Sequence, residues 1–93
     1  MITKWHDKEA LKIWDMQHSK KLPANLQSTA RRKLVMIDAA TNINDLRIPP
    51  SNHLEKLTGD RKGQYSLRIN NAWRICFTWK NGTVEIIDIV DYH

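Results

Sequence analysis

The sequence predicts an α+β fold in which two N-terminal helices pack on a C-terminal antiparallel sheet, and three observations carry that prediction. Apolar side chains alternate along Tyr65-Ser66-Leu67-Arg68-Ile69 and again along Trp73-Arg74-Ile75-Cys76-Phe77-Thr78-Trp79, the period of half-buried strands. Asn81-Gly82 follows Lys80 and tolerates the positive φ angles of a two-residue hairpin turn, so a third strand runs from Thr83 to about Val90. Leu26, Ala30, Leu34 and Ile37 recur three and four residues apart, which is one face of a helix.

The elements can be justified in order. Ile2-Thr3-Lys4-Trp5 is β-prone and able to add an N-terminal strand to the sheet. Asp7 is the N-cap expected for a first helix through Gln17, with Ala10, Leu11 and Trp14 on its buried side and Lys20-Lys21 with Pro23 ending it. Pro23 opens a second helix to about Thr41. Arg31, Arg32 and Ser28 take its outer side, while Lys33 falls near the apolar stripe and is expected to snorkel out along it. Val35 and Ala39 are apolar residues on that outer side with no core to face, as a surface covered by a partner protein would have.

Residues 46–63, with two prolines, two glycines and several basic side chains, read as a long loop whose Leu54 and Leu57 anchor it. A hairpin through Asn71 then pairs Ile69 with Trp73, Leu67 with Ile75 and Tyr65 with Phe77 on the core face. The same register sets Arg68 opposite Arg74 on the other face, where an anion or a carboxylate such as Glu85 must offset the repulsion or both groups must reach water. In the third strand Asp88 falls among Val84, Ile86 and Val90, so either a bulge precedes it or the strand runs past the core.

Ninety-three residues, 41% of them hydrophobic, suit a single domain spanning 1–93. The lone Cys76 cannot form an internal disulfide, and no long apolar run or signal-peptide pattern occurs, so a cytoplasmic protein that does not engage a membrane is expected. Fifteen Lys and Arg against ten Asp and Glu give a net charge of +5, which favours a polyanionic partner such as nucleic acid. Phosphate-binding glycine loops, zinc-spaced Cys/His sets and nucleophile elbows are absent from the sequence. What remains is a basic loop with His53, the sheet arginines, and an acid, a phenol and an imidazole in Asp91-Tyr92-His93. RNA cleavage without metal needs those parts: a base for the 2′-hydroxyl, cations for the phosphate and an acid for the leaving oxygen. The other reading of the same inventory is a non-catalytic nucleic-acid-binding subunit of a repressor complex.

Leu57-Thr58-Gly59-Asp60-Arg61-Lys62-Gly63-Gln64-Tyr65-Ser66, Trp73-Arg74-Ile75 and the closing Asp91-Tyr92-His93, in this order, resemble the HigB-like toxins of the RelE superfamily, as do Leu22-Pro23-Ala24 and Ile37-Asp38-Ala39-Ala40-Thr41. The resemblance implies a microbial-RNase-like fold and a metal-independent, cofactor-free endoribonuclease that cuts mRNA on the translating ribosome. It further implies a cognate HigA-type antitoxin as partner, with operator DNA engaged only indirectly through the antitoxin complex. Catalytic roles carry over to Asp91, Tyr92, His93 and Arg74, and RNA contacts are expected from His53, Lys56, Arg61, Lys62 and Arg68. Relatives also use a loop histidine ahead of the Gly-Asp-Arg turn; Glu55 occupies the aligned position here and His53 lies two residues earlier.

Overall fold

The computed structural model describes residues 1–91, and its centre is a five-stranded mixed sheet in the order β1-β5-β4-β3-β2. Strands β3 (Gln64–Arg68), β4 (Trp73–Lys80) and β5 (Thr83–Asp91) form the expected antiparallel set. Two further strands extend it. The N-terminal β1 (Ile2–Trp5) pairs in parallel with β5, and the short β2 (Glu55–Lys56) pairs with β3. The stretch read as a long loop is therefore ordered: 3-10 turns at Ile43–Arg47, Pro50–Asn52 and Gly59–Arg61 flank β2.

The hairpin registers follow the side-chain alternation. Tyr65 opposes Phe77, Leu67 opposes Ile75 and Arg68 opposes Arg74, while the Ile69 amide donates to the Trp73 carbonyl across the turn. Asn81 (φ 53°) and Gly82 (φ 82°) both adopt the left-handed backbone that a two-residue hairpin between right-twisted strands requires. The conflict at Asp88 is resolved by a bulge: Phe77 faces Ile86 and Cys76 faces Asp88, so Ile87 is the extra residue. Val84 and Ile86 before the bulge and Ile89 after it all reach the core, and Asp88 is turned to the opposite side of the sheet.

Helix α1 (Lys8–Trp14) starts where Asp7 accepts a hydrogen bond from the Glu9 amide at 2.9 Å. The second oxygen of the same carboxylate accepts from the Ile89 amide at 3.2 Å, which ties the helix start to β5. The helix ends earlier than the sequence suggests, because Met16 takes a left-handed backbone at φ 62°. Its buried residues are Ala10 and Ile13, whereas Leu11 and Trp14 are only half-buried, a correction to the expected face. Trp14 instead packs against Trp5, with ring centroids 5.6 Å apart.

Helix α2 (Ala24–Ala39) buries the face read from its spacing, and Leu26, Ala30, Leu34 and Ile37 join Leu67, Ile75, Phe77, Val84 and Ile86 in the core. Lys33 does not snorkel. It is 6% exposed, and its Nζ donates to Asn52 Oδ1 at 2.5 Å. Among the described residues no helix is long and apolar enough to cross a membrane.

The face opposite the helices is covered as well. Cys76 and Ser66 are fully buried there and Arg74 nearly so. Arg61 reaches over from the Gly59–Arg61 turn and grips Asp88 with two hydrogen bonds, 3.0 and 2.8 Å, while also donating to Gln64 Oε1 at 2.9 Å. Glu85, which the sequence offered as a partner for the sheet arginines, instead pairs with His6 Nε2 at 2.6 Å, and that hydrogen bond holds its carboxyl below the usual range.

Burial, with the Asp88 carboxylate of the Arg61–Asp88 pair adding to it, pushes the Cys76 thiol up to about 11 from an ordinary 9.0. The folded chain should thus resist an aromatic disulfide reagent at pH 8 and react at once in denaturant. Because the folded value is the higher one, its contribution to stability is fully present below pH 9 and fades as the pH rises toward 11. Equally fast thiol release in folded and unfolded samples would contradict this placement.

Candidate active site

One end of the β3–β4 hairpin frames a polar cleft of about 300 Å³ lined by His53, Arg68, Asn70, Asn71 and Arg74. The register explains why two cations share it, since Arg68 and Arg74 are direct cross-strand partners. Like charges so placed repel, and the surroundings show what offsets the repulsion. Arg74 Nε donates to Ser66 Oγ at 2.8 Å, its Nη2 donates to the carbonyls of His53 and of Ser66, and its Nη1 lies 3.7 Å from Glu55 Oε1. Arg68 is held at the turn by the Asn70 carbonyl at 3.1 Å and by Asn71 Oδ1. Both guanidinium groups are thereby fixed in orientation, and an anion entering the cleft meets charge that needs no rearrangement.

His53 enters the cleft because the backbone there is left-handed, φ 42°, at the end of the Pro50–Asn52 turn. Asn52 holds that turn from below. Fully buried, it accepts from Lys33 Nζ and donates through Nδ2 to the carbonyls of Leu46, at 3.2 Å, and Ile48, at 3.3 Å. Helix α2, the 43–52 turns and Arg74 are linked in this way through two adjacent residues, Asn52 by its side chain and His53 by its carbonyl. Burial pulls the Lys33 ammonium below its ordinary value, with the Arg32 charge adding to the effect, so Asn52 supplies the acceptor that makes the buried cation tolerable.

The remaining candidates are distributed around this cleft. Asp91 pairs with Trp73 and Val90 with Arg74, so the described end of β5 lies beside Arg74 on the hairpin. Tyr92 and His93 lie outside the described residues. Lys56 and Arg61 line a separate cleft of about 390 Å³ at the β2 edge, and Lys62 is exposed next to it. Arg61 is committed to Asp88 and Gln64, which gives it a structural part that the sequence did not disclose. Sequence reasoning also missed Ser66, Asn70, Asn71 and the bracing role of Asn52. Ser66 was legible in principle, since it alternates onto the same face as Arg68 and Arg74, whereas Asn70-Asn71 signalled only a turn. Among the described residues no cluster of His, Cys, Asp and Glu is arranged to hold a metal ion.

Residues 3–93 match the family model described as the RelE-like toxin of the type II toxin-antitoxin system HigB. The chain belongs to this family. The HigB-like chain is 40% identical to Toxin HigB-1 of Vibrio cholerae over 79 residues, covering 85% of this chain and 82% of that one. It is 36% identical to Endoribonuclease HigB of Proteus vulgaris over 72 residues, 77% of each chain. An uncharacterized Haemophilus influenzae protein is 48% identical over 68 residues, and the match spans 73% of this chain and 66% of that protein's length. The fold also matches the toxin–antitoxin complex YoeB–YefM of Staphylococcus aureus, with a TM-score of 0.63 at 22% identity, covering 100% of this chain and 95% of that one. The α+β architecture of this HigB-like chain is thus shared with a chain of that complex.

The Asn52 bracket gives a measurable expectation. Asn52→Leu orphans the Lys33 ammonium and two carbonyls and should cost about 1–3 kcal/mol for each group left unsatisfied, read as a fall in urea midpoint. Adding Lys33→Met removes the buried charge too, and the double variant should recover part of the loss. Strictly additive losses would show that the two side chains do not depend on each other.

Proposed function

We propose that this HigB-like toxin is a metal-independent endoribonuclease that cleaves mRNA on the translating ribosome and is silenced by a HigA-type antitoxin. The observation that carries the reading is the cleft in which Arg68 and Arg74 are held side by side, with Val90 and Asp91 at the end of β5 paired to Arg74 and Trp73. A pair of fixed guanidinium groups suits a phosphodiester, whose charge grows as the 2′-oxygen attacks. In this scheme Arg74 stabilises the phosphate, Asp91 orients its neighbours, and Tyr92 and His93 exchange the protons. His53 stands at the cleft mouth as a further RNA contact. The 2′-oxygen forms a bond to phosphorus as the 5′-oxygen leaves and takes up a proton, which yields a 2′,3′-cyclic phosphate and a 5′-hydroxyl.

The name of the Proteus vulgaris relative supports RNA as substrate. The basic balance of the chain supports binding to a ribosome, which presents phosphate on every side. Lys56 and Lys62 fit this role as point charges that add affinity without holding proton-transfer geometry.

The test is direct. Added to a cell-free translation reaction, the chain should stop synthesis, and the 5′ ends of cut transcripts should carry hydroxyl groups. Deleting His93 alone should abolish cleavage while the chain stays folded and still binds its antitoxin. Arg74→Ala should lower the cleavage rate about 10²- to 10³-fold, the range for loss of one stabilising donor. Full cleavage by the folded His93-deleted chain would remove the terminal residue from the mechanism, and translation that proceeds unaffected by the intact chain would point to a binding subunit instead.

The loop lysines yield a separate expectation. Lys56→Gln with Lys62→Gln should weaken RNA binding and lower the slope of log affinity against log salt by up to about two. An unchanged slope in a filter-binding titration would leave both lysines as solvated surface.

A further inference from the structure

A second concavity has no part in the cleft just described. It is a groove of about 560 Å³ between the end of α1 and the outer face of α2, and it shares no residue with the arginine cleft. Ile13 reaches its floor, and Met16 and Val35 stand on its walls with 77% and 41% of their surfaces exposed. Two large, exposed apolar side chains lining one concave surface are unusual on a protein that is otherwise strongly basic. Met16 is held there by the left-handed backbone that ends α1, with the following Gln17 amide donating to the Lys12 carbonyl at 2.8 Å.

The rim is cationic. Arg31 and Arg32 line it, and no carboxylate does. Arg31 is fixed in place, since its Nε donates to the Trp14 carbonyl at 3.2 Å and its guanidinium lies 5.9 Å from the Trp14 ring centroid. Such a prepositioned charge gives up little entropy when it meets an anionic partner. RNA alone would suit the arginines but not the methionine and valine walls. A second copy of this chain would bring a net charge of +5 against a positive rim.

We infer that this groove receives an amphipathic helix of the chain's own antitoxin, with an apolar ridge seated between Met16 and Val35 and carboxylates facing Arg31 and Arg32. An acidic helix with apolar residues at i, i+3 or i+4 and i+7 presents that combination. The inference rests on the toxin–antitoxin reading for the existence of the partner, and on the groove alone for where and how it binds. Because groove and cleft share no residue, the helix docks without filling the cleft.

The experiment uses the antitoxin protein that is encoded as this chain's pair, titrated calorimetrically into the refolded full-length chain. Val35→Asp and Arg32→Glu should each weaken binding tenfold or more, and Arg32→Glu should also reduce its sensitivity to salt. RNA cleavage by the free variants should match that of the parent chain. Should Val35→Asp fail to fold, as judged by its melting curve, Val35→Ala and Arg32→Ala replace the pair and should each weaken binding severalfold. Unchanged antitoxin affinity in folded variants overturns the inference. It is overturned in favour of RNA if the variants lose RNA binding alone, and in favour of self-association if Val35→Asp converts a dimer into a monomer without altering antitoxin affinity. A chain that cuts no RNA, yet loses antitoxin affinity through these variants, would reject the nuclease reading and leave the groove standing.

Discussion

The extra residue at Ile87 in β5 decides which side of the sheet every later side chain takes. Without it, strict alternation from Val84 and Ile86 would send Asp88 into a core made of Leu67, Ile75 and Phe77, where an unpaired carboxylate costs several kcal/mol, on the order of that seen for other buried ions. With it, Asp88 faces Arg61 and Ile89 returns to the core. The same offset brings Val90 opposite Arg74 and Asp91 opposite Trp73, so the position of the end of β5 depends on one inserted residue.

Covering both faces of the sheet has a second cause. The apolar side is sealed by α2, as its spacing requires, whereas the other side is sealed by polar groups that satisfy one another. No buried side-chain nitrogen or oxygen among the described residues is left without a partner. Arg74 with Ser66 and Lys33 with Asn52 each bring a charged group out of water and supply it with fixed hydrogen bonds, and Arg61 holds the half-buried Asp88. Such pairs add little net stability compared with apolar packing, but they fix geometry.

The degree to which the sequence disclosed this follows from how local each signal is. Register in the β3–β4 hairpin was legible because alternation and a short turn determine it together, and so was the buried face of α2. The strand conflict at Asp88 was legible as a conflict, though its resolution depended on Arg61, twenty-seven residues away in sequence. The fate of Lys33 was not legible, since a lysine on an apolar stripe has the same local pattern whether it snorkels or finds a buried acceptor; Asn52 lies nineteen residues downstream. The early end of α1 turned on one left-handed residue, Met16, for which no glycine or asparagine gave warning. Of the candidate site, Arg68, Arg74 and His53 do converge, while Lys56 and Arg61 belong to a neighbouring cleft.

The parallel pairing of β1 with β5 bears on how the molecule comes into being. Ile2 lies against Val84 and Trp5 against Ile86, so the first strand made waits for the last before it has any partner in the sheet. Helices α1 and α2 bury their apolar faces on that same sheet and share the wait. Contacts of such long sequence separation form late, after the loop-closure entropy has been overcome. The pairing of β1 therefore forms only once residues 83–91 are available to it.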